Sequence, residues 1–300
     1  MSGFLKKVLL ATDGSEDATA ATRAAADLSK RLGAELYVIH AWEKPPEYSY
    51  PGVPRSLDTA AFFQRHAEEV LEREREHLAG LEARVTEAFL ELGRAADGIL
   101  DFSEHIGVDL VVIGSRGHGA FRRVALGSVS EEVVHHASCP VVVVRPGERT
   151  WPPERIVVGD DGSEDASRAG ALAAGLGDLL EVPMVLVRAY HQPPAPTELA
   201  SDQVELYERM IEQNLEEAER SLERRAEELE EVLGVRPEIR VSTGNPAMAL
   251  DEVAGEDESC LIVVGSRGLG AVRRMALGSV STKVLRAAEG PVLVYPHSTP

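Results

Sequence analysis

Residues 113–130 read IGSRGHGAFRRVALGSVS, and residues 264–281 repeat them as VGSRGLGAVRRMALGSVS, with 14 of 18 positions identical. A second repeat lies nearer the start of each half, where VLLATDGSEDA at 8–18 returns as IVVGDDGSEDA at 156–166. The two offsets are 151 and 148 residues. Such similar offsets at both ends of each half indicate a duplicated domain and exclude a solenoid of short repeats.

The segment between the two copies has the composition of a linker, because residues 145–153 contain three prolines and one glycine. The length of 300 residues is also about twice that of a usual domain. We therefore predict two tandem domains, 1–148 and 149–300.

Apolar runs such as LVVI at 110–113 and VVVV at 141–144 lack the alternation of a strand with one wet face. They predict strands in a sheet that is buried on both sides. Such runs alternate with helical patterns in both copies, which implies right-handed crossovers. We expect an α/β fold with two tandem, doubly wound, five-stranded parallel sheets of Rossmann-like or flavodoxin-like order, related by pseudo-two-fold symmetry. The predicted strands are 5–11, 35–40, 84–92, 109–113 and 140–144 in the first copy, and 155–159, 184–188, 237–242, 260–264 and 291–295 in the second.

Helix signals lie between these strands. Ser15 and Ser163 have the residue type of an N-cap, and Glu and Asp follow each of them, where the helix dipole favours negative charge. Longer stretches have apolar residues at three- and four-residue steps. The predicted helices are 15–32, 58–80, 163–180 and 200–233.

The formal net charge of −19 repels polyphosphates, so we expect no nucleic-acid partner. Glu and Arg crowd the helical stretches 64–84 and 205–231, which is typical of solvated helix surface. A small anionic ligand can bind only where local donors overcome this acidic background.

No apolar run reaches the roughly 20 residues that a membrane-spanning helix needs, so no membrane partner is expected. The first residues, MSGFLKK, lead straight into a predicted strand without the pattern of a signal peptide. Cys139 and Cys260 lie on apolar segments, which favours buried thiols over a disulfide framework. These features predict a soluble, cytoplasmic protein.

Unusual residues follow the first and fourth predicted strands of each copy. The sequence DGS follows strand one at 13–15 and 161–163, and GSRG follows strand four at 114–117 and 265–268. In doubly wound sheets a ligand binds beyond the carboxyl ends of the strands where the strand order reverses. The expected order places strand one beside strand four, so we predict one ligand site per copy at this edge.

The glycine turns and the helix starts after them have the properties of an anion site. Glycine lets backbone N–H groups approach a phosphate closely, because it has no Cβ. Nine residues separate Gly117 from Gly127, which opens a helix whose free N–H groups are those of Ser128, Val129 and Ser130. The Ser128 and Ser130 hydroxyls are expected to add donors. The second copy repeats these positions as Gly268, Gly278, Ser279, Val280 and Ser281.

Each element also has a purely structural interpretation. Ser128 with Glu131 three residues later has the spacing of a capping box, and Asp13-Gly14 alone could be a turn. The same elements at the same spacing in both copies favour a ligand site. Arginines add local positive charge at Arg116, Arg122 and Arg123, and in the second copy at Arg267, Arg273 and Arg274.

The spacing glycine, two residues, glycine, nine residues, glycine, serine is complete in both copies. In this motif, in the Asp after strand one and in the Cys139-Pro140 or Gly290-Pro291 opening of the last strand, the chain resembles the universal stress protein family. The resemblance covers nearly the whole chain and is specific to the ATP-binding subgroup. It implies a tandem member with one ATP site per domain and a regulatory role in stress response.

The resemblance also implies a role for each matching residue. The Asp after strand one lies against the ribose and any bound Mg²⁺, the main chain just after strand two meets the adenine, and the glycine turns take the phosphates. The expected nucleotide-binding residues are Asp13, Ala41, Gly114, Arg116, Gly117, Gly127, Ser128, Val129 and Ser130 in the first copy, and Asp161, Ala189, Gly265, Arg267, Gly268, Gly278, Ser279, Val280 and Ser281 in the second. Asp13 and Asp161 are the candidate Mg²⁺ ligands.

Two positions differ between the copies. The loop after strand three reads GNP at 244–246, as the family often has it, but GRA at 93–95, which is expected to alter the pocket wall. His118 stands where the second copy has Leu269, and we interpret it as a solvated side chain.

Members of this family usually pair through their last strands. The apolar runs at 141–144 and 292–295 give a physical reason, because uncovered flat edges invite aggregation. We expect the two domains of one chain to dock through these edges, and two such chains to be able to form a homodimer.

No established catalytic motif is present, because the chain lacks a G-x-x-x-x-G-K-[ST] loop, a G-x-S-x-G elbow and an H-E-x-x-H pair. No catalytic residue is therefore predicted. Slow ATP hydrolysis or self-phosphorylation, and an interaction scaffold with vestigial pockets, stay open as alternatives. The sequence does not distinguish ATP from AMP or another nucleotide.

Overall fold

The computed structural model describes residues 5–43, 59–117, 126–147, 151–190, 201–268 and 277–297. The chain divides into two compact units, Met1–Pro152 and Pro153–Pro300. In each unit parallel strands alternate with helices. The predicted pair of tandem doubly wound α/β domains is confirmed.

The first unit contains, in its described part, five strands and four helices. They are β1 (Lys7–Ala11), α1 (Glu16–Leu32), β2 (Glu35–Trp42), α2 (Thr59–Gly80), β3 (Val85–Leu92), α3 (Ala95–Ile106), β4 (Leu110–Gly114), α4 (Ser128–His136) and β5 (Val141–Val144). The strand order is β3-β2-β1-β4-β5, with parallel pairing throughout. Strand β1 lies between β2 and β4, so the strand order reverses at β1 and β4 as predicted.

The second unit repeats this plan. Its described elements are β6 (Arg155–Gly159), α5 (Glu164–Leu180), β7 (Met184–Tyr190), α6 (Ser201–Leu233), β8 (Glu238–Thr243), α7 (Pro246–Ala254), β9 (Cys260–Gly265), α8 (Ser279–Ala287) and β10 (Val292–Tyr295). The order β8-β7-β6-β9-β10 is again parallel. All ten predicted strands are therefore present, and their ends differ from the prediction by two residues or fewer.

The central strands are buried on both faces, as their unbroken apolar runs predicted. Every residue of β4 and β9 is buried, whereas β3 and β8 are half-buried or exposed along their length. Close packing on both sides fixes the carboxyl ends of the central strands, and with them the residues that follow.

The predicted N-caps of α1 and α5 are confirmed. Ser15 Oγ accepts the Ala18 N–H at 3.2 Å, and Ser163 Oγ accepts the Ala166 N–H at 3.2 Å. The helices α3 and α7 add to the predicted pattern. The Asn245 side chain caps α7, whereas Arg94 at the start of α3 makes no side-chain cap bond.

Helix α6 is 33 residues long and packs on its sheet through its C-terminal half, where Leu222 and Ala226 are fully buried. The Glu residues of its N-terminal half are exposed, as their charge pattern predicted. In the stretches of chain that the structure describes, no helix combines the length and the apolar character that crossing a membrane requires.

Both cysteines are free thiols buried in the core, as predicted. Burial raises the pKa of Cys139 and of Cys260 to about 12, from an ordinary value of 9.0. An unfolded chain exposes both thiols to water, so it loses their protons near pH 9 while the folded chain keeps them.

This difference predicts a specific loss of stability in alkali. Between about pH 9 and pH 12 the unfolded state binds fewer protons than the folded state, so the free energy of unfolding falls as pH rises. The slope is up to about 1.4 kcal/mol per pH unit for each thiol. Urea unfolding should be measured across this pH range for the wild type and for the double variant Cys139→Ala with Cys260→Ala. Above about pH 9 the free energy of unfolding should fall more steeply with pH in the wild type than in the double variant. Parallel pH dependence of the two proteins would contradict the account.

Candidate functional site

The turn after β1 holds a carboxylate in a fixed position. The Ser15 N–H donates to Asp13 Oδ1 at 3.0 Å, and the Gly14 N–H donates to Thr12 Oγ1 at 3.2 Å. In the second domain the Ser163 N–H donates to Asp161 Oδ1 at 3.0 Å. Both Asp side chains are therefore held beside the first turn of the following helix.

The turn after β4 is closed by two short backbone hydrogen bonds. The Ser115 N–H donates to the Val144 carbonyl at 2.7 Å, and the Gly127 N–H donates to the Ser115 carbonyl at 2.7 Å. The second domain has the same two bonds at 2.7 Å, from Ser266 to Tyr295 and from Gly278 to Ser266. These bonds place the start of α4 or α8 directly against the end of the preceding strand.

The two turns touch each other at a glycine. A Cβ on Gly117 would lie 2.2 Å from Asp13 Oδ2, and a Cβ on Gly268 would lie 2.2 Å from Asp161 Oδ2. Real Cβ atoms do not approach other atoms so closely. Glycine at these two positions lets the Asp carboxylate and the glycine turn share one edge of the pocket without a shift of the Asp side chain.

The starts of α4 and α8 present free backbone donors. The first intrahelical bond of α4 is donated by Glu131 to the Gly127 carbonyl at 2.9 Å, and that of α8 by Thr282 to Gly278 at 2.9 Å. The N–H groups of residues 128–130 and 279–281 therefore have no acceptor within their own helix. Gly127 and Gly278 are the N-caps, and neither helix has a side-chain cap bond.

Three interpretations from the sequence need correction here. Ser128 is the first residue of α4 and not its N-cap, so the capping-box interpretation with Glu131 is wrong. The Ser130 hydroxyl donates to the Gly114 carbonyl at 2.7 Å, and Ser281 donates likewise to Gly265 at 2.7 Å. A hydroxyl has one proton, so these two hydroxyls hold the helix to the strand and are not free phosphate donors.

Strand ends also differ slightly from the prediction. Ala41 and Ala189 lie inside β2 and β7 and not after them, because pairing continues to Trp42 and Tyr190. Gly114 and Gly265 are the last residues of β4 and β9 for the same reason. Their backbones nevertheless reach the same edge of the sheet.

Each domain has a solvent-open cavity at this edge. The first has a volume of about 980 Å³ and the second about 340 Å³, both within the range of roughly 300–1,000 Å³ that is usual for small-molecule sites. Ala95 and Pro246 lie in their walls, at the loop where the copies differ in sequence. The first cavity is lined by every residue expected there, Asp13, Ala41, Gly114, Arg116, Gly117, Gly127, Ser128, Val129 and Ser130, and the second by Asp161, Ala189, Gly265, Arg267, Gly268, Gly278, Ser279, Val280 and Ser281.

A buried carboxylate anchors the β1 turn of the first domain. Glu74 of α2 is only 6% exposed. It accepts hydrogen bonds from Thr12 Oγ1 at 3.0 Å and from the Thr22 hydroxyl. The prediction of a solvated helix surface is therefore wrong for Glu74.

The second domain uses an ion cluster in the same place. Asp160 is 4% exposed, accepts the Gly162 N–H at 2.7 Å and is paired with Arg188 and Arg225. Arg188 Nε also donates to the Asp160 carbonyl at 2.9 Å. Sequence reasoning missed both networks, and the only signal was a polar residue at the end of an apolar strand.

A second carboxylate flanks the glycine turn of each domain. In the first domain Asp17 accepts hydrogen bonds from Ser115 Oγ at 2.8 Å and from Arg116 Nε at 3.1 Å. In the second domain Asp165 is paired with His297 Nδ1, at 3.0 Å and 3.1 Å to its two oxygens. Burial lowers the pKa of Arg145, and so does the positive charge of neighbouring Arg116.

Few of the described side chains near the two cavities are of the kind that binds a metal ion. Within the described ranges no group of three or more His, Cys, Asp or Glu residues could hold a metal ion. A single carboxylate per site, Asp13 or Asp161, fits a Mg²⁺ ion that is held mainly by ligand phosphates and water. Several further predicted features lie outside the described residues, namely His118, Leu269, Arg122, Arg123, Arg273 and Arg274.

The chain is similar in sequence and in fold to known universal stress proteins. A universal stress protein of Thermus aquaticus is 38% identical over 146 residues, which cover 47% of this chain and all of that protein. A universal stress protein of Mycolicibacterium smegmatis is 29% identical over 304 residues, with 96% of each chain covered. The crystal structure of a universal stress protein from Archaeoglobus fulgidus superposes with a TM-score of 0.69 at 24% identity, covering 99% of this chain and 100% of that one.

The sequence profile of the Universal stress protein family matches twice, at residues 5–145 and 153–296. Each match contains one complete set of the turns and helix start described above. The chain therefore belongs to the universal stress protein family and carries one family domain in each half.

Proposed function

We propose that each domain binds one ATP, and that the chain acts as a cytoplasmic, nucleotide-occupied regulator in the stress response. The observation that carries this proposal is the convergence, in both domains, of a held Asp, a glycine turn and an uncapped helix start on one cavity. Two copies with matching hydrogen-bond lengths support a shared ligand.

The phosphates would lie against the helix starts. Each helix start has three free N–H groups, at residues 128–130 in α4 and 279–281 in α8. They lie at the positive end of the helix dipole, which is a favourable site for an anion. Arg116 and Arg267 line the same cavities and add local charge. These donors offset the repulsion that a net charge of −19 exerts on a polyphosphate.

The nucleoside would lie toward the other side of each cavity. Ala41 and Ala189 bring the backbone of β2 and β7 to the cavity wall, where main-chain groups can meet the adenine. Asp13 and Asp161 would lie against the ribose and hold any Mg²⁺ together with the phosphates. The metal would supply charge neutralisation for the phosphates, and the carboxylate would orient it.

Mass spectrometry of the purified chain tests this proposal. We expect native spectra with up to two adenine nucleotides per chain, and ATP among the small molecules released on denaturation. The vestigial-scaffold alternative predicts that no nucleotide is released even after incubation with millimolar ATP. The enzyme alternative predicts inorganic phosphate release that is lost in Asp13→Ala with Asp161→Ala while the nucleotide still binds.

A further inference from the structure

The carboxylates Asp17 and Asp165 occupy equivalent positions but hold different partners. A Cβ on Gly114 would lie 2.9 Å from the Asp17 carbonyl carbon, and one on Gly265 would lie 3.1 Å from the Asp165 carbonyl carbon. The first turn of α1 or α5 thus packs against the end of β4 or β9 in the same way. Only the side-chain partners differ.

In the first domain the Asp captures the arginine of the glycine turn. Asp17 Oδ2 accepts from Arg116 Nε at 3.1 Å, and the Asp17 side chain is only 12% exposed. A guanidinium that is bound to a carboxylate has less positive potential and fewer free donors for a phosphate. The Arg116 guanidinium therefore lines its cavity with part of its positive charge offset by Asp17.

In the second domain a histidine takes the place of that arginine. His297 Nδ1 lies 3.0 Å and 3.1 Å from the two Asp165 oxygens. A carboxylate only accepts, so Nδ1 carries the hydrogen. Residue 297 corresponds to Pro146 at the 151-residue offset, and proline has no side-chain donor. Among the residues that the structure describes, the Arg267 side chain has no hydrogen bond or ion pair, and it lines the second cavity.

We propose that His297 keeps Asp165 occupied, so that the Arg267 guanidinium is available to the nucleotide phosphates of the second domain. This inference rests on the proposed ATP function. It makes His297 a positioning residue that acts through Asp165 on Arg267. The two sites then differ in how strongly they favour a highly charged ligand, with the second depending more on its arginine.

The test isolates the second site in a Gly117→Val background and measures ATP and adenosine affinity by calorimetry. Removing a guanidinium from a phosphate costs a charge-assisted bond, so Arg267→Gln should weaken ATP about tenfold. His297→Ala frees Asp165 to capture Arg267 and should weaken ATP about fivefold. Adenosine, which has no phosphate, should bind equally to the background chain and to its His297→Ala variant.

A rescue tests whether the Asp165 carboxylate is the group through which the loss of His297 weakens ATP binding. Adding Asp165→Asn to His297→Ala removes the competing carboxylate and should restore ATP affinity to within about twofold of the background chain. In the first site, isolated by Gly268→Val, Asp17→Asn should release Arg116 and strengthen ATP about threefold. The Asp17→Asn measurement in the first site does not depend on how well a His297 variant folds.

The outcomes separate the inference from the function on which it rests. Unchanged ATP affinity in His297→Ala, failure of the Asp165→Asn rescue, or an Asp17→Asn variant that binds ATP no better would each overturn the inference while ATP binding itself stands. Absence of ATP binding to the Gly117→Val and Gly268→Val chains and to the wild type would overturn both.

Discussion

Replacing Gly117 and Gly268 together with valine is expected to abolish nucleotide binding, with at least a hundredfold loss of ATP affinity. A Cβ at either position would lie 2.2 Å from an Asp carboxylate oxygen. Turning the carboxylate away would disturb the hydrogen bond that its other oxygen accepts from the N–H of Ser15 or Ser163 at 3.0 Å. The valine therefore displaces the Asp carboxylate or the glycine turn from the cavity edge, and its own side chain takes up space there. Calorimetric titration with ATP measures the loss.

A glycine outside the site provides the matched control. Gly80 ends α2 at a position where a Cβ would meet nothing within 4 Å. Gly80→Val should bind ATP as the wild type does. Each single variant, Gly117→Val or Gly268→Val, should retain one site per chain. Two sites of normal affinity in the double variant would show that these turns do not form the site.

Replacing Arg188 with methionine is expected to destabilise the second domain by roughly 3 kcal/mol, because it leaves a buried carboxylate without its main partner. Asp160 has a side-chain exposure of 2%, and Arg188 of 15%. Arg225 Nε still lies 3.4 Å from Asp160 Oδ2, but it replaces the lost ion pair only in part. The labelling rate of the buried Cys260 thiol reports opening of the second domain, and it should rise about a hundredfold.

Two internal comparisons accompany this measurement. Cys139 reports opening of the first domain, and its labelling rate should not change. Arg240→Met removes an exposed pair with Glu238, whose side chains are 46% and 48% exposed, so it should shift stability by less than about 0.5 kcal/mol. Equal effects of Arg188→Met and Arg240→Met on Cys260 labelling would refute the assignment of a buried ion cluster.

The fold follows from the sequence because its signals are local. Short β-branched runs such as VVVV at 141–144 favour a strand that is buried on both sides, and Ser15 or Ser163 caps a helix with its own side chain. The position of the site follows from the duplicated glycine spacing. Short helices such as α3 are harder to predict, since Arg94 gives no capping signal.

The networks behind the site could not be predicted, because they join residues that are far apart in the chain. Glu74 looks like any solvated acid of a charged helix until α2 packs over Thr12 and Thr22. Asp17 and Asp165 have the same sequence neighbours, yet one binds Arg116 and the other binds His297. Only tertiary packing decides such partners, so the sequence predicts the difference in the loop after the third strand but not the difference between the partners of Asp17 and Asp165.

We propose that each domain holds one nucleotide through its glycine turns and helix start. Calorimetric titration of the nucleotide-stripped chain with ATP tests this proposal most directly. We predict two binding events per chain, one of which disappears in each single glycine variant. No heat with millimolar ATP, or heat that persists unchanged in Gly117→Val with Gly268→Val, would contradict it.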